Sequence, residues 1–436
     1  MRDKSITKTS EKSRRSFIKK SSIAVLGGTV IYPSGLMAFN SSKNDIIKVG
    51  LIGCGGRGTG AASQALTADP NTELVAMGDV FEDRLSGALE QLLKLKPNQV
   101  KVDSDQQFIG FDAYKKVLES DVDVVLLTTP PAFRPDHLKA AVEAGKHTFC
   151  EKPVAVDAPG VRKVIEAAKL AKEKKLNVVS GFCFRHDTMN IETMDRVLGG
   201  DIGEIRAVTA YRNGGELWYK DRKPDWTDMT YQMRNWYYQN WLSGDFLVEQ
   251  AVHSCDLISW TMNNEMPVKA IGSGGRQVRT DEKYGNIYDH FATEFTYANG
   301  SKSTLFARQQ ANTQGRNTVE AFGSDGVSYL NLYGKSEIKG KKPWRYRGER
   351  NDMFQAEHDK LFAAIRSGNP INDGELMANS TMMGILSRMV GYTGQEITWE
   401  DAFNSKEQLG PHFEDYSWDL KFKMPAIAVP GKTKFI

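Results

Sequence analysis

Residues 46–79 read IIKVGLIGCGGRGTGAASQALTADPNTELVAMGD, and the rest of the chain is arranged around them. An apolar, β-branched run (Ile46, Ile47, Val49, Leu51, Ile52) has the character of a strand buried on both faces. It passes directly into Gly53-Cys54-Gly55-Gly56-Arg57-Gly58, a G-x-G-x-x-G, and a helix is predicted from residue 57 to about residue 68. A second apolar run, 74–77, leads to Asp79, 21 residues beyond Gly58. Each part has a physical reason. Gly53 permits a tight turn, Gly55 lets the backbone approach a pyrophosphate, and Gly58 lets helix and strand pack closely. The helix start offers unpaired N–H groups to phosphate, and an acid at Asp79 suits the hydroxyls of an adenosine ribose. The alternative is a plain βαβ crossover whose glycines only turn the chain. As a dinucleotide site, the stretch favours NAD over NADP, because the Asp79 carboxylate repels a 2′-phosphate. Arg57 pulls the other way, since its charge could meet a phosphate.

The 436 residues suffice for two or three domains, and a content of 40% hydrophobic and 25% charged residues is ordinary for a globular protein. The formal net charge of +3 is unevenly spread. Residues 1–38 hold eight basic and two acidic side chains, which leaves the remainder slightly negative. That balance points to neither nucleic acid nor an anionic membrane surface as a partner. Ser13-Arg14-Arg15-Ser16-Phe17-Ile18-Lys19 is similar to a twin-arginine export signal, S-R-R-x-F-I-K. The apolar stretch after it, 23–32, is too short to span a bilayer as a stable helix, and a cleavage point is expected near Ala38. Residues 1–38 are therefore expected to be a signal peptide and the mature protein periplasmic, with no membrane span. A disordered basic tail is the alternative. Cys54, Cys150, Cys183 and Cys255 lie beside cofactor or substrate elements, not in a spaced framework, so free buried thiols are expected.

Downstream, helical and strand-like runs alternate as far as residue 184. Helices are predicted over 82–96, 111–118, 137–144 and 161–174, with strands over 123–129, 147–150 and 178–184. This alternation predicts a mostly parallel sheet with helices on both faces, a nucleotide-binding domain over 46–184. Ligands of such sheets collect at the carboxyl ends of the strands. The loops after Ile52, Asp79, Thr129 and Cys150 are thereby placed around one crevice. Thr129, Pro130, Glu151 and Lys152 join Gly53, Gly55, Gly56, Arg57, Gly58 and Asp79 as candidate cofactor contacts. From residue 185 the pattern changes. An aromatic stretch (218–241), a helix predicted over 246–262, five strand-like runs between 270 and 332, and two late helices suggest a second α/β domain over 185–436. Its sheet should be open and mostly antiparallel.

Two places could carry chemistry. Lys152, in Glu151-Lys152-Pro153 at a strand end, would face the crevice, where an ammonium can donate to a substrate hydroxyl and help move a proton. Glu249 and His253 are four positions apart on the predicted helix and share a face, as do His253 and Asp256 at three. The imidazole could take a hydroxyl proton while a carboxylate orients or charges it. No third ligand with convincing spacing accompanies Glu249 and His253, so no metal site is expected. The other reading is a structural helix with a satisfied histidine.

These motifs together resemble the Gfo/Idh/MocA family (glucose–fructose oxidoreductase, inositol dehydrogenase and relatives). Ala144-Gly145-Lys146-His147-Thr148-Phe149-Cys150-Glu151-Lys152-Pro153 is similar to the family's A-G-K-H-[VT]-x-x-E-K-P. Tyr392-Thr393-Gly394-Gln395-Glu396-Ile397-Thr398-Trp399 resembles its late Y-T-G-x-x-[IV]-x-W. The resemblance implies a Rossmann domain and an open-sheet domain that often dimerises, hence a homo-oligomer. It also implies hydride transfer between a nicotinamide and a hydroxyl-bearing carbon, usually of a sugar or cyclitol. The family's catalytic lysine maps to Lys152 and its D-x-x-x-H to Glu249 and His253, with glutamate in place of aspartate. Arg185, His186 and, through the helix face, Asp256 are implied at the substrate. Two alternatives share the fold: an NAD-dependent glycosidase acting by transient oxidation and elimination, and a non-catalytic sugar or nucleotide binder.

Overall fold

The computed structural model describes residues 45–436; the export-signal reading and its cleavage point lie outside the described residues. The first half alternates without interruption: β1 (Ile47–Ile52), α1 (Gly56–Ala68), β2 (Thr72–Asp79), α2 (Glu82–Leu95), β3 (Gln107–Ile109) and α3 (Ala113–Glu119). β4 (Val124–Leu127), α4 (Arg134–Glu143), β5 (His147–Cys150), α5 (Ala158–Glu173) and β6 (Val178–Ser180) follow. The six strands pair in parallel in the order β3-β2-β1-β4-β5-β6. All of β4 and nearly all of β1 is buried, as a sheet covered on both faces requires. The order reverses between β1 and β4, which opens a crevice at their carboxyl ends.

The second half opens with α6 (Thr188–Leu198), β7 (Ile205–Gly214), α7 (Asp228–Arg234), α8 (Asn240–Ser243), α9 (Asp245–Glu249) and α10 (Val252–Thr261). Then come β8 (Lys269–Gly275), β9 (His290–Thr296), β10 (Lys302–Gln309), β11 (Arg316–Gly323), β12 (Gly326–Asn331), β13 (Ser336–Gly340) and β14 (Trp344–Arg345). α11 (Met353–Ser367), α12 (Gly374–Thr393), β15 (Ile397–Thr398) and α13 (Trp399–Asn404) complete it. Its nine strands form one mixed sheet, antiparallel except where β7 lies parallel to β10. The fold is therefore α/β, a Rossmann-type parallel sheet followed by a mostly antiparallel one. β9 shows why one face is covered: Phe291, Thr293 and Phe295 point inward at period two toward α12. On the other face Ile271 and Phe306 stay exposed, and Tyr211 stacks on Phe306 at 5.3 Å.

After the second sheet the chain returns to the first. α11 packs on α1 and adds Leu361, Phe362 and Ile365 to the core behind β1. Residues 371–373 bond both backbone groups of Val178 at the edge of the parallel sheet. Two predicted elements end differently. The strand expected over 178–184 stops at Ser180 and gives way to a 3₁₀ turn, Cys183–His186. The helix expected over 246–262 is two helices, because Gln250 and Ala251 both donate to the Phe246 carbonyl and interrupt the ladder. Asp245 opens it at φ +76°, with one carboxylate oxygen held by the Tyr288 N–H and the Tyr392 hydroxyl.

Burial favours the neutral form of five histidines, of which His137, His253 and His358 are buried and His147 and His186 partly so. Burial lowers the pKa of His147 and His186 to about 4 and of His137 to about 3, and holds His253 and His358 well below the usual range. Lys360 and Arg185 add to the effect at His186, and Arg57 at His358. With folded values below the unfolded one, near 6.5, their contribution to stability is complete above about pH 6.5 and is lost as pH falls toward 4. Thermal unfolding between pH 7 and pH 5 should show Tm falling by about 5 °C or more. A flat profile over that range would show that these rings are not buried neutral.

Candidate active site

The crevice at the β1–β4 switch is a cleft of about 840 Å³ whose walls come from both sheets. On the nucleotide side, Gly53 turns at φ +96°, where a Cβ would stand 2.6 Å from the Thr129 nitrogen. A Cβ on Gly58 would lie 2.0 Å from the Gly53 carbonyl oxygen, so only glycine lets α1 sit this close to the end of β1. Gly55 and Gly56 are the opposite case, since a Cβ there would meet nothing within 4 Å. That open space faces the N-terminus of α1, which has no side-chain cap and no acid in its first turn. The result is a cradle of free N–H groups suited to a pyrophosphate. Asp79 ends β2 on the same wall, with Oδ2 accepting from the Cys54 N–H at 2.7 Å and Oδ1 from the Phe81 N–H at 2.9 Å. Burial pushes its carboxyl up while these two donors hold it down. Each oxygen keeps a lone pair for a ribose hydroxyl. The residues therefore fit a dinucleotide.

Arg57 does not reach toward phosphate. Its guanidinium is held by Glu151 (2.6 Å) and Glu357 (3.2 Å), both buried, and its Nη2 lies 3.4 Å from His358 Nε2. Burial first, and then the Glu151 charge, raise the pKa of Glu357 well above the usual range. Thr129 and Pro130 line the cleft as expected, with Thr129 Oγ1 3.2 Å from His137 Nδ1.

On the other side stand Lys152, Glu249 and His253. The Lys152–Pro153 peptide is cis, and Lys152 Nζ crosses to the second half, donating to the Glu249 carbonyl at 2.8 Å and to Glu249 Oε1 at 3.2 Å. The break between α9 and α10 leaves that carbonyl free for the ammonium. Glu249 does not orient His253, because its other oxygen accepts from Gln250 Nε2 at 2.7 Å. His253 Nδ1 is buried without a partner, and the ring packs edge-on against Phe182 and Phe184. Burial, then the charges of Lys152 and Arg212, keep the imidazole neutral.

Arg185, His186 and Asp256, expected at the substrate, are not on the cleft wall. Arg185 Nε grips both oxygens of Asp256 at 2.8 and 2.9 Å, Ser380 donates to the same carboxylate, and the guanidinium lies over Trp260. This buried clamp ties the turn after β6 to α10 and α12. The His186 carbonyl accepts from Asn351 Nδ2. The aromatic stretch divides. Trp218 and Trp236 line the cleft, whereas Tyr237, Tyr238 and Trp241 are core.

Arg134, Arg212, Lys220, Gln250 and Tyr333 also line the cleft and were not anticipated; only the neighbouring tryptophans marked this region in the sequence. The four cysteines are buried and free, and burial raises each thiol's pKa. Among the described residues no group of three or more His, Cys, Asp or Glu is placed to hold a metal ion, and no helix is long and apolar enough to cross a membrane.

A Rossmann-type sheet with a phosphate cradle, facing a lysine and a neutral histidine across one cleft, defines the class of nicotinamide-dependent oxidoreductases. Comparison with known proteins agrees. The description "Oxidoreductase family, NAD-binding Rossmann fold" matches residues 47–182, and "GFO/IDH/MocA C-terminal domain" matches residues 192–328. The chain belongs to the GFO/IDH/MocA oxidoreductase family. The dTDP-3,4-didehydro-2,6-dideoxy-alpha-D-glucose 3-reductase of Actinomadura kijaniata is 30% identical over 39% of this chain and 47% of that protein, so the match spans about half of that relative. The inositol 2-dehydrogenase of Rhizobium meliloti is 25% identical over 64% of this chain and 74% of its own. The aldose-aldose oxidoreductase of Caulobacter crescentus, solved with glycerol, shares the fold with a TM-score of 0.64. It is 17% identical and covers 81% of this chain and 99% of its own.

The cleft's wall beside Asp79 is backed by the end of the chain. Phe81, Phe111 and Tyr114 line it, and Trp418 packs on Phe81 (5.2 Å) and Phe111 (4.8 Å), Tyr416 on Phe111, and Phe413 on Tyr114. Trp418→Ala combined with Tyr416→Ala should loosen this wall and speed nucleotide release by about 10-fold or more. Dissociation followed with excess competing nucleotide checks this, and an unchanged rate would mean the strap supports only the fold.

Proposed function

We propose that this protein is an exported, NAD-dependent oxidoreductase that moves hydride between a tightly held nicotinamide and a hydroxyl-bearing carbon of a sugar or glycoside. The observation that carries the reading is that Lys152 and His253 line the same cleft as the Gly55–Gly56 cradle. Gly53, Gly55, Gly56, Gly58, Asp79, Thr129 and Pro130 would hold the dinucleotide, which supplies the two-electron acceptor when bound. The chain's own residues do the remaining work. Lys152, anchored by Glu249, has a donor left for the substrate oxygen. His253, neutral at physiological pH, takes the hydroxyl proton in oxidation and returns it in reduction. Phe182 and Phe184 fix the plane of its ring.

NAD is favoured over NADP by the Asp79 carboxylate at the ribose position and by the commitment of Arg57 to Glu151 and Glu357. The twin-arginine-like residues 13–19 support export to the periplasm, where a retained cofactor would replace a free pool. The exposed Ile271, Phe306 and Tyr211–Phe306 stack support self-association through the open sheet face. A sugar-like substrate suits both the tryptophans in the cleft and the names of the relatives, a deoxyglucose 3-reductase and an inositol 2-dehydrogenase.

Mass spectrometry of nucleotide released from protein isolated out of the periplasmic fraction should find NAD at near one per chain. Nucleotide-free protein, or NADP, would remove the retention or the cofactor assignment. Lys152→Ala and His253→Ala should each lower kcat on the active sugar by about 10²- to 10⁴-fold while the bound nucleotide is retained. Turnover unaffected by both would count against their catalytic roles. Aglycone release from glycosides without net NADH would instead favour redox-assisted cleavage.

A further inference from the structure

The charges on the cleft wall are unevenly matched. Arg57 is paired with Glu151 and also contacts Glu357, Lys152 is paired with Glu249, and Arg234 with Asp83. Arg212 of β7 and Lys220, on the segment after β7, reach the same cleft, and neither forms an ion pair among the described residues. Arg212 is half-buried and meets only neutral acceptors. Its Nη1 donates to Asn317 Oδ1 (3.3 Å) and the Tyr333 hydroxyl (3.2 Å), and its Nη2 to Gln250 Oε1 (3.1 Å). These contacts leave Nε–H and one Nη2–H, the number of donors that the two oxygens of one carboxylate accept. Arg134 adds a buried charge on the facing wall, where it donates to the Pro153 carbonyl and its Nε has no partner. Partly desolvated guanidinium groups without counter-charge are costly, and a bound anion relieves that cost.

The position of Arg212 connects this charge to the reacting groups. Gln250 accepts from Arg212 and donates to Glu249, which holds Lys152, so one amide and one carboxylate space the guanidinium from the ammonium. Trp218 and Tyr333, respectively 46% and 63% exposed, line the same cleft and offer apolar faces to a sugar ring.

We propose that the substrate is a carboxylate-bearing sugar, a hexuronic acid or its glycoside, with its carboxylate on Arg212 and Lys220 and its ring against Trp218. The hydroxyl-bearing carbon then faces Lys152 and His253. This rests on the oxidoreductase reading and adds the substrate class to it. Arg212 and Lys220 are the specificity residues, and Lys152 and His253 act on the hydroxyl.

The test uses the full chain loaded with NAD. Calorimetry measures binding of glucuronate, galacturonate and their methyl glycosides, of the parent neutral sugars, and of glucose 6-phosphate, while NADH absorbance reports turnover. Uronates should bind at least about 10-fold more tightly than the neutral sugars, an advantage that Arg212→Gln and the exposed Lys220→Gln each reduce by a comparable factor. Equal or better binding of neutral sugars overturns the proposal, as does preference for the phosphate ester or a uronate advantage untouched by both variants. Turnover of neutral sugars without uronate binding overturns the carboxylate subsite and leaves the oxidoreductase reading standing. Uronate preference with no NADH signal from any sugar supports the subsite and removes the redox reading.

Discussion

The contact on which the site depends is the reach of Lys152 Nζ to Glu249. It joins the end of β5, in the parallel sheet, to the gap between α9 and α10, beneath the mixed sheet. Either element alone would leave the site incomplete: the strand end would present an ammonium to open solvent, and the helix break an unsatisfied carbonyl. The pairing satisfies both and sets the spacing between the nucleotide cradle and His253. Both side chains are largely buried, so removing one partner leaves the other charge desolvated, which is far more damaging than loss of a surface pair. The cross-domain contact forms where the local helix is broken, and the Glu249 carbonyl accepts from the lysine there.

A second network fixes the cradle from behind. Arg57 leaves the glycine-rich turn, pairs with Glu151 next to Lys152, and meets Glu357 on α11. One guanidinium thereby links the glycine-rich turn, the Glu151–Lys152 loop and a helix three hundred residues away in sequence. α11 is on hand only because the chain returns to the first sheet after building the second. The terminal segment carrying Phe413, Tyr416 and Trp418 does the same for the wall near Asp79. The two sheets are thus covered by one continuous C-terminal run, and the site's geometry depends on that return as much as on the strands that point into it.

This explains which parts were legible in the sequence. The G-x-G-x-x-G, the strand–helix alternation and E-K-P encode local geometry, and their residues stand where local rules put them. Glu249 and His253 both stand on the cleft wall, but on two helices instead of one, because Gln250 and Ala251 share the Phe246 carbonyl and interrupt the ladder that the four-residue spacing assumes. Arg185 and Asp256 look like site residues by proximity to the last Rossmann strand, yet they find each other and become a buried clamp. Arg212 and Tyr333 could not have been picked out, because they reach the cleft through the pairing of β7 with β10 and β11 and a turn after β12, none of which leaves a local mark. Arg57 illustrates the same limit. Its place in the motif suggests a phosphate, and only the folded chain supplies the two acids that claim it.

The division of charge follows from the same assembly. In the nucleotide half Arg57 and Lys152 are paired with acids, while Arg84 and Arg134 line the cleft without an ion pair among the described residues. Its contacts to a dinucleotide would also include the oriented backbone N–H groups at α1 and the Asp79 acceptor, which are directional. The second half adds Arg212 and Lys220, which form no ion pair among the described residues, and wide aromatic faces. On the proposed reading, affinity for substrate would follow from charge and area, which are forgiving of shape and sensitive to the sign of the ligand. On the proposed reading, directional backbone contacts hold the cofactor and charge selects the substrate, with the Lys152–Glu249 pair between the two.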